Sequence, residues 1–325
     1  MTKYKLSMKH FYKNLYTRFK GFLPFIIFFF IISNLEIFKE LIFYNGLFQL
    51  VLFIFITCIP AYLTKRMSYV DIAWPWGLVL IGVLVLILGE GYQPRIILIS
   101  SMYLFSGLRM GIGAIVLLKK GHLDTELSRY KYQRKRWDKA GYKNLDLSLQ
   151  YEIMIQCFAN ITFLALPAFL MAQNTTASIS ITEIIGVLLW AIWFVMEHIS
   201  DIQKQKFLKK SFLEKKKKQV CNVGFWKYTR HPNYFAEWMV WNAIIVTSIP
   251  SFFKFYTNDH ILLWSFVFIA LLYVSYIMYT TLVYYTGAVP SEYYTLQKRP
   301  NYKEYQEQTN QFFPGPKKPI NKKTH

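Results

Sequence analysis

Apolar stretches about as long as a bilayer is thick constrain this chain more than any other feature. A helix crosses the hydrocarbon core with about 20 apolar residues. Eight runs approach or exceed that length: 21–38, 41–63, 72–89, 95–118, 151–171, 181–198, 235–252 and 261–285. Lipid offers no hydrogen bonds, so backbone groups inside it must be satisfied within the segment, and the runs are expected as helices. Hydrophobic residues at 54% of 325 are too many for a soluble domain of this length. The expected fold is all-α, a polytopic membrane protein with seven or eight transmembrane helices, the first and seventh runs being the weakest. The first run leads straight into further spans without a small-residue cleavage site, so no cleavable signal peptide is expected.

The basic residues are arranged around these runs. With the N-terminus inside, segments 1–20, 64–71, 119–150, 199–234 and 286–325 hold 34 of the 38 Lys and Arg. Lys39, Arg95 and Lys254 stay outside near membrane ends, and Arg109 falls within the fourth run. This asymmetry follows the positive-inside rule and supports an even number of spans with both termini cytoplasmic. The net charge of +20 then reports topology and contact with anionic headgroups. No helix-turn-helix, zinc-finger or RNA-binding signature accompanies it, so nucleic acid is not an expected partner. Cys58, Cys157 and Cys221 show no metal-ligand spacing and no disulfide framework. Asn174-Thr175-Thr176 fits a glycosylation acceptor on the outer side, a short pattern that chance readily supplies. Lys215-Lys216-Lys217-Lys218 reads as a solvated loop against anionic lipid, and Pro314 to Pro319 as an end without regular structure.

Chemistry gathers at Arg230-His231-Pro232-Asn233-Tyr234-Phe235-Ala236-Glu237. Pro232 suits the first turn of a helix, where its missing N–H costs nothing. The N-terminus of such a helix presents free N–H groups and a positive dipole end to a phosphate. Asn233 and Glu237 are four residues apart and share one helix face. Glu237 is followed by Trp238, Met239, Val240 and Trp241, where an ionised carboxylate requires a partner. The plain alternative is a basic interface turn with one snorkelling acid. The inner segments 119–150 and 199–234 and the tail are rich in Arg and Tyr, a pairing suited to an anionic, ring-bearing ligand. Asp71 opens the third run, as a helix cap or a pocket acid; Arg109 follows Tyr103 in the fourth; Glu197, His198 and Asp201 close the sixth. Together they point to a polar pocket opening towards the cytoplasm.

Residues 226–237, Trp-Lys-Tyr-Thr-Arg-His-Pro-Asn-Tyr-Phe-Ala-Glu, resemble the hallmark of the bacterial membrane-protein family grouped with the steroid 5α-reductase C-terminal domain. Glu197…Asp201-x-Gln203, Lys298-Arg299-Pro300…Tyr302…Tyr305…Thr309 and Asp71-Ile72-Ala73-Trp74 extend the resemblance over roughly 65–316. That range would be the main domain, preceded by a basic segment with two spans in 1–64 and followed by a disordered basic tail in 317–325. Two motifs depart from the family pattern: Ser106-Gly107-Leu108-Arg109-Met110 begins without Trp, and Glu126-Leu127-Ser128-Arg129-Tyr130 lacks an acid at its second place. These changes bear on the substrate more than on the cofactor.

The resemblance implies NADPH-dependent reduction of a carbon–carbon double bond conjugated to a carbonyl, in a hydrophobic, lipid- or sterol-like substrate. It gives Asn233 and Glu237 to the nicotinamide end and makes Tyr234 a further cofactor-binding residue. Arg230, His231 and Asp201 would hold ribose and phosphates, and Arg109, Arg129, Tyr302 and Tyr305 would complete the cage. Tyr103 or a protonated Asp71 would be the acid near the carbonyl oxygen. A competing resemblance, through the Arg-His-Pro-x-Tyr turn, is to isoprenylcysteine-type membrane methyltransferases, which use S-adenosylmethionine. A transporter or scaffold is the non-enzymatic alternative, although no inverted repeat is visible in the sequence. For the topology, reporter fusions at the C-terminus and within 172–180 should report opposite sides of the membrane, with the C-terminus cytoplasmic; the same side for both would overturn this reading.

Overall fold

The computed structural model describes residues 2–216 and 218–319. Lys217 of the lysine run and residues 320–325 of the basic tail lie outside the described residues. The protein is 79% helical, with no strand among the described residues. Seven helical stretches are long and apolar enough to cross a membrane: Tyr16–Ser33, Glu36–Thr64, Val70–Leu88, Gln93–Lys119, Leu145–Ala172, Ile181–Leu213 and Asn258–Lys298. The expected run 235–252 lies in helix Pro232–Phe255, which is not among the seven. Glu237, Asn242, Thr247, Ser248 and Ser251 dilute its apolar character.

Two compact units divide the chain, and their boundary falls within the helices Pro232–Phe255 and Ile261–Thr280. Unit one comprises Met1–Ser180 with Ser248–Leu271, and unit two Ile181–Thr247 with Leu272–His325. Unit one contains α1 (Thr2–Ser33), α2 (Lys39–Phe53), α3 (Ile59–Thr64), α4 (Val70–Leu88), α5 (Gln93–Lys119), α6 (Ser128–Lys139), α7 (Leu145–Ile161) and α8 (Leu166–Ala172). Its core brings Phe53, Val70, Ala73, Trp137, Leu149 and Ile153 together from α2, α4, α6 and α7.

One span of this unit is broken. After Ile161 the backbone turns at Thr162 (φ −113°, ψ −96°), and a new helix starts at Leu166 ahead of Pro167. The break leaves carbonyls at the end of α7 without helical partners. Asn45 answers them: its Nδ2 donates to the Asn160 and Ile161 carbonyls, each at 3.1 Å. Gln49 Nε2 donates to the Gly77 carbonyl at 2.8 Å, and Asn160 Nδ2 to the Trp74 carbonyl at 3.1 Å. All three side chains are fully buried.

The loop before α9 is equally bound in. The Arg95 guanidinium is 2% exposed and donates to the carbonyls of Asn174 and Thr176 at 2.9 Å, and to that of Ser178. Asn174 is buried and its Nδ2 donates to Ser251 Oγ at 3.0 Å. Its amide nitrogen is therefore engaged in the core, not presented as a glycan acceptor. The three cysteines are free thiols.

Unit two holds α9 (Ile181–Leu213), the first two-thirds of α10 (Pro232–Phe255), the end of α11 (Ile261–Thr280), α12 (Ala288–Lys298) and α13 (Tyr302–Gln308). The apolar run ends at 198, yet α9 continues to Leu213 for 33 residues. At 1.5 Å per residue that is about 50 Å, longer than the hydrocarbon core. Its last turns therefore carry Asp201, Gln203 and Lys204 beyond the apolar stretch. The end at Pro314–Pro319 has no regular element but is not loose throughout: Gly315 N–H donates to the Tyr228 carbonyl at 3.0 Å and Lys318 N–H to that of Gln308 at 2.9 Å.

Asn45→Ala would leave two carbonyls at the α7 break without their donor. It should cost about 1–2 kcal/mol, visible as a lower melting temperature in detergent. An unchanged melting temperature would show that water or a backbone shift replaces the amide.

Candidate active site

The hallmark segment is mounted on α9. Gly224 has φ +53°, and a Cβ there would stand 2.3 Å from Gln203 Oε1, so this left-handed position requires glycine. The turn it permits lets Phe225 N–H donate to Gln203 Oε1 at 2.9 Å and Trp226 Nε1 to the Ser200 carbonyl at 2.9 Å. Lys204 Nζ lies over the Trp226 ring, 4.3 Å from its centroid.

The next residues are laced to the C-terminal strap. Thr229 pairs with Asn310 in an isolated parallel bridge, and Arg230 N–H donates to the Asn310 carbonyl at 2.9 Å. Thr229 Oγ1 donates to the Phe312 carbonyl at 2.9 Å, and the Tyr305 hydroxyl to that of Trp226. Burial pushes the Tyr302 and Tyr305 phenols well above their ordinary range. Tyr305 is thus a brace within the fold, and Tyr302 packs edge-on against it at 5.6 Å.

Glu292 is the hub of this arrangement, at 5% exposure. Its carboxylate accepts a fork from Arg230, Nε at 2.7 Å and Nη2 at 3.1 Å, with His231 Nε2 at 3.0 Å and Gln306 Nε2 at 2.6 Å. Arg230 Nη1 donates to the carbonyls of Gln306, at 3.0 Å, and Thr309. The guanidinium that the resemblance gives to ribose and phosphate is therefore occupied by protein. His231 is 3% exposed and stacks on Tyr234 with ring centroids 5.3 Å apart. Burial holds its pKa below the ordinary value, against the opposing pull of Glu292.

From this clamp α10 starts at Pro232. Asn233 Nδ2 donates to Asp201 Oδ1 of α9 at 3.1 Å, and Asn233 Oδ1 is buried without a hydrogen-bond partner among the described residues. Glu237 follows one turn on along the same face. Phe235, Trp238, Tyr279, Phe312 and Phe313 form an aromatic box, with Phe312 edge-on to Tyr279 at 5.3 Å and Phe313 stacked on Tyr279 at 6.1 Å. Beside it lies a cavity of about 360 Å³ lined by Tyr279, Val283, Tyr284, Asn310, Gln311 and the two phenylalanines. Its α11 wall is loosened by a π-helical turn, Thr281–Tyr285, the kind of irregularity that recurs at functional sites.

The remaining candidates belong to unit one. Asp71 accepts from Arg129 Nη2 and from the Tyr130 hydroxyl at 2.5 Å, so both of its oxygens are engaged. Glu126 caps the turn before α4, accepting from the N–H groups of Met67 at 3.0 Å and Ser68 at 3.1 Å, and it pairs with Arg134 at 2.7 Å. The inner segment 119–150 is thereby pinned to the start of α4 by the residues of its own motif. The Tyr103 hydroxyl is buried and donates to the Leu164 carbonyl at 2.5 Å. Arg109 is half-buried on α5.

Within unit two the structure gathers Asp201, Arg230, His231, Asn233, Tyr234, Tyr302 and Tyr305 around one turn. Sequence reasoning placed Glu292 only among tail residues. Arg230, a cation heading an apolar segment and in need of a carboxylate, was the available signal. The aromatic box was missed altogether; the adjacent Phe312 and Phe313 could have suggested it.

Residues 57–309 match the model of the family described as protein of unknown function DUF1295, and the chain belongs to that family. No curated protein and no solved structure matches it.

Removing one partner of a buried ion pair strands the other charge, at about 3–5 kcal/mol. Arg230→Ala and Glu292→Ala should each lower unfolding free energy by about that amount, and the double variant by clearly less than the sum. Additive losses in denaturant titrations would refute the clamp. His231 adds a pH dependence. Its folded pKa is lowered, so the unfolded chain takes up the proton first. Its contribution is fully present above about pH 6.5 and is lost as pH falls through that value towards the folded pKa. His231→Gln should flatten the stability profile in that window; an unchanged slope would count against it.

Proposed function

We propose that this member of the family is a membrane-embedded NADPH-dependent reductase of a conjugated carbon–carbon double bond in a hydrophobic, lipid- or sterol-like substrate. The observation that carries the reading is Asn233. Its nitrogen is committed to Asp201 while its oxygen is a buried acceptor with no partner among the described residues, an unmet need that a ligand donor would satisfy. A carboxamide N–H₂ has that chemistry, and Glu237 one turn further along α10 adds a second acceptor on the same face. These residues fit the nicotinamide end of the cofactor. When bound, the cofactor supplies hydride for the β-carbon of the enone.

The chain's own residues divide the remaining work. Glu292, Arg230 and His231 fix the turn from which Asn233 projects, so Arg230 serves by holding geometry and not by meeting a phosphate. Asp201 sets which way the Asn233 amide faces. The rings of the aromatic box offer a surface for the hydrophobic part of the substrate, and the cavity beside it adds the polar groups of Asn310 and Gln311. An acid near the carbonyl oxygen would stabilise the enolate. Tyr103 and Asp71 have their polar groups engaged inside unit one, and we assign the step to neither. Both termini and the hallmark would face the cytoplasm, as the Lys and Arg distribution supports.

One observation favours the methyltransferase as second reading. With Arg230 occupied, the unanswered group at the head of α10 is an acceptor, Asn233 Oδ1, and not a cation, which suits the ammonium of S-adenosylmethionine too. Calorimetry on the detergent-purified chain separates the two: binding of NADPH and none of S-adenosylmethionine is expected, and the reverse would replace the reductase. In the NADPH-consumption assay with a panel of hydrophobic enones, Glu237→Gln should cut turnover by roughly tenfold to a hundredfold through misplacement of the ring. Its NADPH affinity should change only about threefold, within the range of one weakened neutral hydrogen bond. Equal turnover of variant and wild type would remove Glu237 from this role.

A further inference from the structure

The strap that closes the clamp also walls the cavity of unit two, and the clamp leaves its side-chain amides unused. Arg230 N–H donates to the Asn310 carbonyl at 2.9 Å. Thr229 Oγ1 donates between the carbonyls of Gln311, at 3.2 Å, and Phe312, at 2.9 Å. The backbone from 310 to 312 is thereby held by the hallmark turn, while the Asn310 and Gln311 side chains make no hydrogen bond among the described residues. Both are half-buried and line the cavity of about 360 Å³, a size within the roughly 300–1,000 Å³ of small-ligand sites. The facing wall comes from the end of α11. Tyr279 and Val283 are four residues apart and share one face of a regular helix, whereas a residue five places on turns away from it. The π-helical turn Thr281–Tyr285 takes up the extra residue. Tyr284 therefore joins the same wall, its ring centroid 6.1 Å from that of Tyr279. No carboxylate, ammonium or guanidinium is among the described residues that line the cavity.

We infer that this cavity takes an uncharged polar group, a hydroxyl or carbonyl oxygen, carried on a flat apolar ring, and that Asn310 and Gln311 are the residues that select it. That the occupant is the enone substrate rests on the reductase reading. The substrate class is then a ring-bearing enone with a neutral polar substituent, not a fatty carboxylate or an amine. A side-chain amide supplies N–H donors and a carbonyl acceptor without charge, so it can serve a hydroxyl in either role. A carboxylate or ammonium would leave water for a wall without an opposite charge. Burying such a charge costs far more than a neutral hydrogen bond returns. Tyr279, Phe312 and Phe313 supply the aromatic surface against which a flat ring packs. Because the clamp already holds the strap, little backbone ordering is left to oppose binding.

The test uses the full chain in mild detergent, without nucleotide, and three probes of one ring system: 2-naphthol, 2-naphthoate and 2-methylnaphthalene. Comparing each variant with wild type in the same detergent cancels partitioning into the micelle. Calorimetry should show Gln311→Leu weakening 2-naphthol by about threefold to tenfold, the size of one neutral hydrogen bond, with 2-methylnaphthalene unaffected. Gln311→Lys, which adds a cation to the wall, should bind 2-naphthoate more tightly than wild type does. An equal loss of 2-naphthol and 2-methylnaphthalene in Gln311→Leu, no gain of 2-naphthoate in Gln311→Lys, or a wild type that binds no probe overturns the assignment. The link to substrate is read separately, in the NADPH-consumption assay with hydroxyl-bearing and carboxylate-bearing ring enones. Wild type should prefer the hydroxyl-bearing enones, and Gln311→Leu should lose that preference. Enones reduced without any such preference overturn this inference and leave the reductase reading in place. If the probes behave as expected and no enone is reduced, the reductase reading falls while the selectivity of the cavity stands.

Discussion

Hydrocarbon offers a polar group no partner, so every backbone or side-chain group placed in it has to be answered from within the protein. In this chain several departures from a plain apolar helix come with their own answering groups. The α7 break exposes two carbonyls and Asn45 donates to both. Arg95, at a membrane end, is wrapped by three loop carbonyls. Asp71 in the first turn of α4 meets Arg129 and Tyr130. Several buried polar atoms lack an answer among the described residues, and one of them, Asn233 Oδ1, stands at the head of α10. A buried acceptor without a donor is a place where a ligand can contribute binding energy.

Unit two shows a division of labour between charge types. Its hallmark cation, Arg230, is spent on Glu292 and two carbonyls and holds the turn rigid. One acceptor, Asn233 Oδ1, remains unanswered at the start of the adjoining helix. The strap through Thr229, Asn310 and Gly315 belongs to the mount: it ties a segment that looks unstructured in sequence to the turn that carries the chemistry. It also carries Phe312 and Phe313 into the aromatic box, so the apolar seat and the clamp share one piece of chain.

Much of this was legible from residues alone, and the reasons differ by element. The spans could be read because their length is set by the bilayer and not by neighbouring helices, and seven of the eight runs overlap helical stretches that qualify. The seventh run could be read only in part: its helix exists, but Glu237, Asn242 and Ser251 remove it from the apolar set. The hallmark turn was visible through Pro232 at a helix start and through the spacing of Asn233 and Glu237. Glu292 was not, because nothing local marks a carboxylate whose partners lie 62 residues away.

The sequence by itself determined the solvent of this protein, its helical class and the segment where polar chemistry concentrates. Those follow from composition and from periodicities a few residues long. Only the tertiary structure decided which polar groups are consumed in holding the fold and which are left unanswered. Arg230 and Asp71 both read as site residues, yet long-range pairing turns Arg230 into a clamp and engages both oxygens of Asp71. Asn233 keeps an open acceptor, because Asp201 takes its nitrogen and not its oxygen. The physical reason is that a hydrogen-bond donor is used up by whichever acceptor the fold brings within 3 Å, and chain order does not say which one that will be.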